Sequence, residues 1–205
     1  MYTVVEGGYL VRLARRTIEG YLAGARRLEA KDPPAVLREK AGVFVTLSTH
    51  PLRRLRGCIG YPEPVMPLLE ATMRAAIAAA TQDPRFPPLE EGELEATGVE
   101  VTVLTPPVPV QVEPQDYPRQ FEIGPHGLIV ERGPYRGLLL PQVAVEAGWG
   151  KEEFLDHTCI KAGLNPGAWR DTGTRLYTFA GRVFSEERPK GEVVEKRPNS
   201  SCPGP

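Results

Sequence analysis

The chain has 205 residues, nearly balanced in charge with 25 Lys+Arg against 26 Asp+Glu, and 41% of its residues are hydrophobic. That composition fits one packed globular domain, or one domain with two lobes, at roughly 150 residues per domain. The 21 glycines and 22 prolines show no collagen-like period and argue against a helical bundle. Three cysteines are too few for a disulfide framework and fit a reducing, cytoplasmic setting. The start, Met1 to Glu6, lacks the basic and apolar blocks of a signal peptide. No stretch approaches the ~20 apolar residues of a membrane span, so no membrane partner is expected.

In chain order, apolar residues at Leu10, Leu13, Ala14, Ile18, Tyr21, Leu22, Ala25 and Leu28 predict an amphipathic helix over Gly8–Ala30, stopped by Lys31-Asp32-Pro33-Pro34. Val43–Ser48 and Leu55–Gly60 form a predicted hairpin. Period-two alternation puts Leu55, Gly57 and Ile59 on one side of the second strand and Arg56 and Cys58 on the other. An Ala-rich helix is expected over Val65–Gln82, ending in Asp83-Pro84-Arg85-Phe86-Pro87-Pro88. Val99–Thr105 alternates as a strand. The proline-rich stretch 105–118 is an expected connection between lobes. Short strands over Gly127–Glu131 and Gly137–Leu140, helices over Pro141–Glu146 and Lys151–Ala162, and a strand over Arg175–Glu186 complete residues 1–186. Residues 187–205 are expected to be a flexible tail. Hairpins and helices without a βαβ rhythm give an α+β class with mixed or antiparallel sheets.

Cys58 leads the chemical candidates. A guanidinium at Arg56, on the same strand face, favours the thiolate and would make the sulfur a nucleophile. Gly57 and Gly60 would let a ligand or another backbone approach closely, and the competing reading of Cys58 is a small buried hydrophobe. His126, in a glycine-flanked turn, is a candidate base for the thiol, or else a turn residue bonded to its own backbone. Asp83 and Arg85, fixed by Pro84, are an orienting carboxylate and an anion anchor, or a local ion pair closing a helix. Arg56 and Arg85 are thus the expected substrate-binding cations, with Gly57 and Gly60.

His157 and Cys159 sit about 200° apart on a helix and cannot share a metal; Cys159 belongs to the apolar face. Cys202 stands alone. With no paired ligand spacing, no metal site is expected, and no cofactor is assigned. Phosphate-loop, dinucleotide and nucleophile-elbow motifs are absent. Basic residues are in excess over residues 1–60 and acidic ones over 61–157. Arg12, Arg16, Arg53 and Arg54 therefore offer a nucleic-acid reading, weakened by the lack of interleaved aromatics.

Leu55-Arg56-Gly57-Cys58-Ile59-Gly60 resembles the signature hexapeptide of the AMMECR domain family, which has archaeal and bacterial members. Further matches follow in family order: Asp83-Pro84-Arg85-Phe86, Val99–Leu104, His126–Val130, Gly137–Val143, Phe154–Cys159 and Lys161–Leu164, then Ala168-Trp169. The resemblance runs from about residue 8 to residue 186. It implies an α+β fold with a larger and a smaller subdomain and a cleft between them. By association it implies partners in a modification system, a Memo-like protein and a radical-SAM protein. Two functions follow as expectations: a cysteine-dependent enzyme acting in that cleft, or a non-catalytic module that binds a protein partner.

Overall fold

The computed structural model describes residues 2–25 and 29–196. Cys202, and Leu28 at the end of the expected first helix, lie outside the described residues. Among the described residues, helices α1 (Val4–Leu22), α2 (Leu68–Thr81), α3 (Glu91–Leu94), α4 (Pro141–Ala147) and α5 (Lys151–Lys161) accompany eight strands. The strands are β1 (Val43–Thr49), β2 (Leu55–Tyr61), β3 (Thr97–Leu104), β4 (Val108–Pro109), β5 (His126–Arg132), β6 (Tyr135–Leu139), β7 (Arg175–Glu186) and β8 (Val193–Lys196). β1 pairs antiparallel with β2 and β3, β7 with β4, β5 and β8, and β5 with β6, and the class is α+β. The residues group into two units: unit 1 runs to Leu104 and takes up the chain again from Arg182, and unit 2 is Thr105–Gly181.

In unit 1 the order β2–β1–β3 continues to the C-terminal part of β7, which also pairs with β8. Alternation sends Val43, Val45, Leu47, Val99, Val101 and Val103 to a single face, where they are buried with Leu10, Ile18, Leu68 and Phe184. Helices α1 and α2 pack here. Alanines at 71, 75, 76 and 79 keep α2 thin enough to lie close to the sheet. The approach is closest at Gly57, where an added Cβ would stand 2.1 Å from the Ala79 carbonyl oxygen. Gly57→Ala must push helix backbone away from β2. Thermal melts should show a loss of about 1–3 kcal/mol, the usual cost of overpacking. In α1, Gly7 lies against the Phe184 ring, 2.2 Å from where a Cβ would sit, which accounts for a helix-poor residue in that position.

Helix α1 is shorter than its apolar period suggests. Gly24, at φ +79°, closes it: Gly24 N–H donates to Tyr21 and Ala25 N–H to Gly20, the paired bonds of a Schellman ending. The stop lies at this glycine rather than at the Lys31–Pro34 run. Likewise α2 begins at Leu68, because Pro67 holds the preceding backbone extended. The segment after Glu186, expected as a tail, carries β8, whose Val193–Lys196 pair with Val183–Glu186.

Unit 2 is built on β4, the N-terminal part of β7, β5 and β6. Phe121, Leu128, Val130, Phe154, Leu155, Cys159, Trp169 and Leu176 form its core. Cys159 is fully buried, and burial pushes its thiol up to about 11. Asp156 Oδ1 accepts both the Trp169 indole N–H (2.7 Å) and the Gly167 amide (2.8 Å), pinning the chain after α5. The 105–118 connection contains β4 and the start of a 3₁₀ turn, Pro114–Arg119. No helix among the described residues is long and apolar enough to cross a membrane.

Candidate functional site

β2 is the edge strand of the unit 1 sheet, and Cys58 faces Thr46 of β1 in the register. The Cys58 amide points away from β1 and donates to Asp83 Oδ2 at 2.8 Å. A carboxylate thus takes the place of a missing strand and blunts an edge that would otherwise be open to pairing. Asp83 is 4% exposed. It also accepts the Arg85 amide at 3.1 Å, and the Arg85 guanidinium through Nε (3.0 Å) and Nη2 (2.8 Å). With four donors aimed at it, above all the Arg85 side chain, its carboxyl is held down at about 2. It stays ionised at neutral pH and is too weakly basic to take a thiol proton. The local Arg85 ion pair is present, and the same carboxylate accepts the Cys58 backbone amide.

Arg56, buried, grips the other end of the same connection. Its Nε and Nη2 donate to both carboxylate oxygens of Glu93 at 3.1 and 2.9 Å, and its Nη1 to the Pro87 carbonyl at 2.9 Å. The Arg56 guanidinium holds the Glu93 carboxyl below its ordinary range. Arg56 is accordingly engaged with Glu93 rather than left as a free charge beside Cys58. Asp83 and Arg56 together tie residues 83–93 to the β2 edge. Glu93 escapes the sequence reading, although Glu90 and Glu93 have capping-box spacing; the Glu90 amide donates to Glu93 at 2.9 Å.

Cys58 is a partly buried residue, and its sulfur accepts a hydrogen bond from Thr46 Oγ1 at 3.3 Å. Only strand register reveals Thr46, twelve residues upstream. The next residue in this row, Glu100 of β3, is 6% exposed and pairs with Lys196 of β8 at 2.9 Å. The close approaches that explain Gly57 and Gly60 come from the fold itself. Ala79 meets Gly57, while Val43 and Phe44 stand 2.4 Å from a Cβ at Gly60.

His126 lies in unit 2 at the start of β5. Its Nδ1 accepts the Glu122 amide at 3.0 Å, so the imidazole is bonded to its own turn. His157 stacks flat on Trp149, centroids 3.8 Å apart. Among the described residues no group of three or more His, Cys, Asp and Glu could hold a metal.

The sequence profile of the AMMECR1 family matches residues 11–184. The chain belongs to the AMMECR1 family. The same AMMECR1 fold is seen in the crystal structure of an uncharacterised protein from Pyrococcus horikoshii. The likeness there has a TM-score of 0.78 at 52% identity, over 94% of this chain and 97% of that one. A protein of Thermofilum pendens is 56% identical over 201 residues, covering 93% of this chain and 94% of its own length. One from Methanopyrus kandleri is 53% identical over 196 residues, 95% of each. The clamp around Cys58 therefore lies within the span matched to the AMMECR1 family.

Proposed function

We propose that this AMMECR1 chain is a cysteine-dependent enzyme whose nucleophile is Cys58. The observation that carries the reading is the contrast around that residue. Its backbone is held by the buried Asp83, its neighbour Arg56 by Glu93, and the residue itself is only partly buried, with a hydroxyl donating to its sulfur. A donor on sulfur stabilises negative charge there, as nucleophilic catalysis requires. In the reaction, Sγ bonds to an electrophilic centre of a small or peptide substrate, and the thiol proton leaves with the group displaced. Asp83, Arg56, Gly57 and Gly60 are positioning residues. Arg85, paired with Asp83 and with its side chain 42% exposed, is the candidate substrate anchor. No proton is routed through His126. Cys58 and Cys159, neither of them in a disulfide, suit a cytoplasmic location.

Thr46→Val, which removes the donor but keeps the shape, should slow alkylation of Cys58 about fivefold, the worth of one hydrogen bond. Thr46→Ser should restore it. Equal rates in wild type and Thr46→Val would sink the activated-thiol reading.

The saturation of Asp83 and Arg56 by the protein's own groups favours a second reading, a binding module whose hexapeptide is structural. Its partners would be the Memo-like and radical-SAM proteins that the family resemblance implies. Retention of such a partner by Cys58→Ala as tightly as by wild type, with Cys58 inert to alkylation, would select it.

A further inference from the structure

A cavity of about 450 Å³ in unit 1 is lined chiefly by charged side chains, among them Arg12, Arg15, Arg16, Lys31, Glu186 and Lys190. Its charges divide into two sets. Arg15 and Glu186 neutralise each other through a buried double hydrogen bond, 2.5 Å on each arm, with side chains 6% and 2% exposed. Lys190 is shared between Glu95 at 2.6 Å and Glu19 at 3.5 Å. Arg12, Arg16 and Lys31 have no carboxylate partner among the described residues. Three cations converging on one concavity repel each other, a cost that an anion of matching charge removes.

Local structure holds them in place. Arg12 and Arg16 are one turn apart on α1, and the Arg12 guanidinium folds over Gly8, 3.2 Å from where a Cβ would stand. The Tyr9 hydroxyl donates to the Lys31 carbonyl at 2.8 Å and so ties the segment carrying Lys31 to the helix. Lys190, at φ +61°, also lines the cavity.

We propose that this cavity binds a small molecule bearing a diphosphate, with Arg12, Arg16 and Lys31 as its ligands. Guanidinium forks match phosphate oxygens two at a time, and an ammonium adds a point charge. The volume is within the range of small-molecule pockets. A nucleic acid would instead need a stripe of cations with stacking aromatics; Arg53 and Arg54 do not line this cavity.

The test is titration calorimetry of the full chain with inorganic pyrophosphate and, separately, with ADP, at fixed ionic strength. One-to-one saturable binding is expected, weakened about tenfold or more in Arg12→Ala and in Arg16→Ala, as for loss of a charge-assisted hydrogen bond. Arg12→Lys should fall between, and Cys58→Ala should bind as wild type does. Each probe that binds should raise the melting temperature of wild type by mass action, but that of the double variant Arg12→Ala/Arg16→Ala hardly at all. Tighter binding of ADP than of pyrophosphate would assign a nucleotide, and equal or weaker binding the diphosphate alone. Circular dichroism confirms folding of the variants, whose substituted side chains are exposed. The proposal is overturned if neither probe saturates, or if the double variant binds them unchanged. Binding of a single-stranded oligonucleotide in preference to both probes would also overturn it.

Discussion

Glu186→Ala is expected to cost about 3–5 kcal/mol of folding stability, read as a fall in the urea midpoint at unchanged slope. Glu186 receives Arg15 through two bonds and also accepts the Val99 amide at 3.1 Å. Arg15 reaches on to the Thr97 carbonyl at 2.6 Å. This one pair therefore joins α1, the start of β3 and the end of β7. Removing the carboxylate leaves a guanidinium that is only 6% exposed without its charge partner, along with an unpaired strand amide. The double variant Arg15→Met/Glu186→Leu removes both charges, and it should lose less than the single change does. A cost under about 1 kcal/mol for Glu186→Ala would mean that the pair behaves as an exposed one and does not tie the unit together.

The second large effect is at Asp83. Its carboxyl titrates at about 2 in the folded chain against an ordinary 3.8. The shift is worth about 2 kcal/mol. Because the folded value is the lower one, this stability is fully present above the ordinary carboxylate value and is lost as pH falls from about 4 towards 2. Asp83→Asn should lose a similar amount at neutral pH, and the variant's stability should decline less over that acid range. Arg85→Ala should cost less, since Arg85 is 42% exposed and water screens its charge, while the Cys58 amide keeps its acceptor. Equilibrium urea unfolding from pH 7 to pH 2 checks all three. Parallel pH profiles for wild type and Asp83→Asn would contradict the assignment.

Much of the fold is legible in residue order because short-range rules dominate there. Alternation marks β1, β2 and β3, and the alanines and prolines bracket α2. The α1 ending shows what competes: an apolar period that continues past Gly24 is overruled by one residue able to turn left-handed. β8 was hidden because Val193–Lys196 is four residues long in a charged, proline-bearing stretch, and its pairing with β7 is a tertiary fact. At the site, Cys58, Asp83 and Arg56 stand out as residue types. Their use does not, since the Asp83–Cys58 bond spans 25 positions and the Arg56–Glu93 bond 37. Chain proximity made Arg56 a charge for the thiol, whereas the folded chain gives that charge to Glu93. Thr46 carries no local signal at all and is found only through the β1–β2 register.

The measurement that bears most directly on Cys58 is its rate of alkylation by iodoacetamide at neutral pH. It is followed site by site by mass spectrometry on the native protein, with an added small thiol as reference. Cys58, partly buried as a residue and hydrogen-bonded at its sulfur, should react faster than the reference. Cys159, fully buried with its thiol pushed up to about 11, should stay unmodified until the chain unfolds. A Cys58 that reacts no faster than the small thiol would contradict the enzyme reading and leave the hexapeptide as a structural clamp.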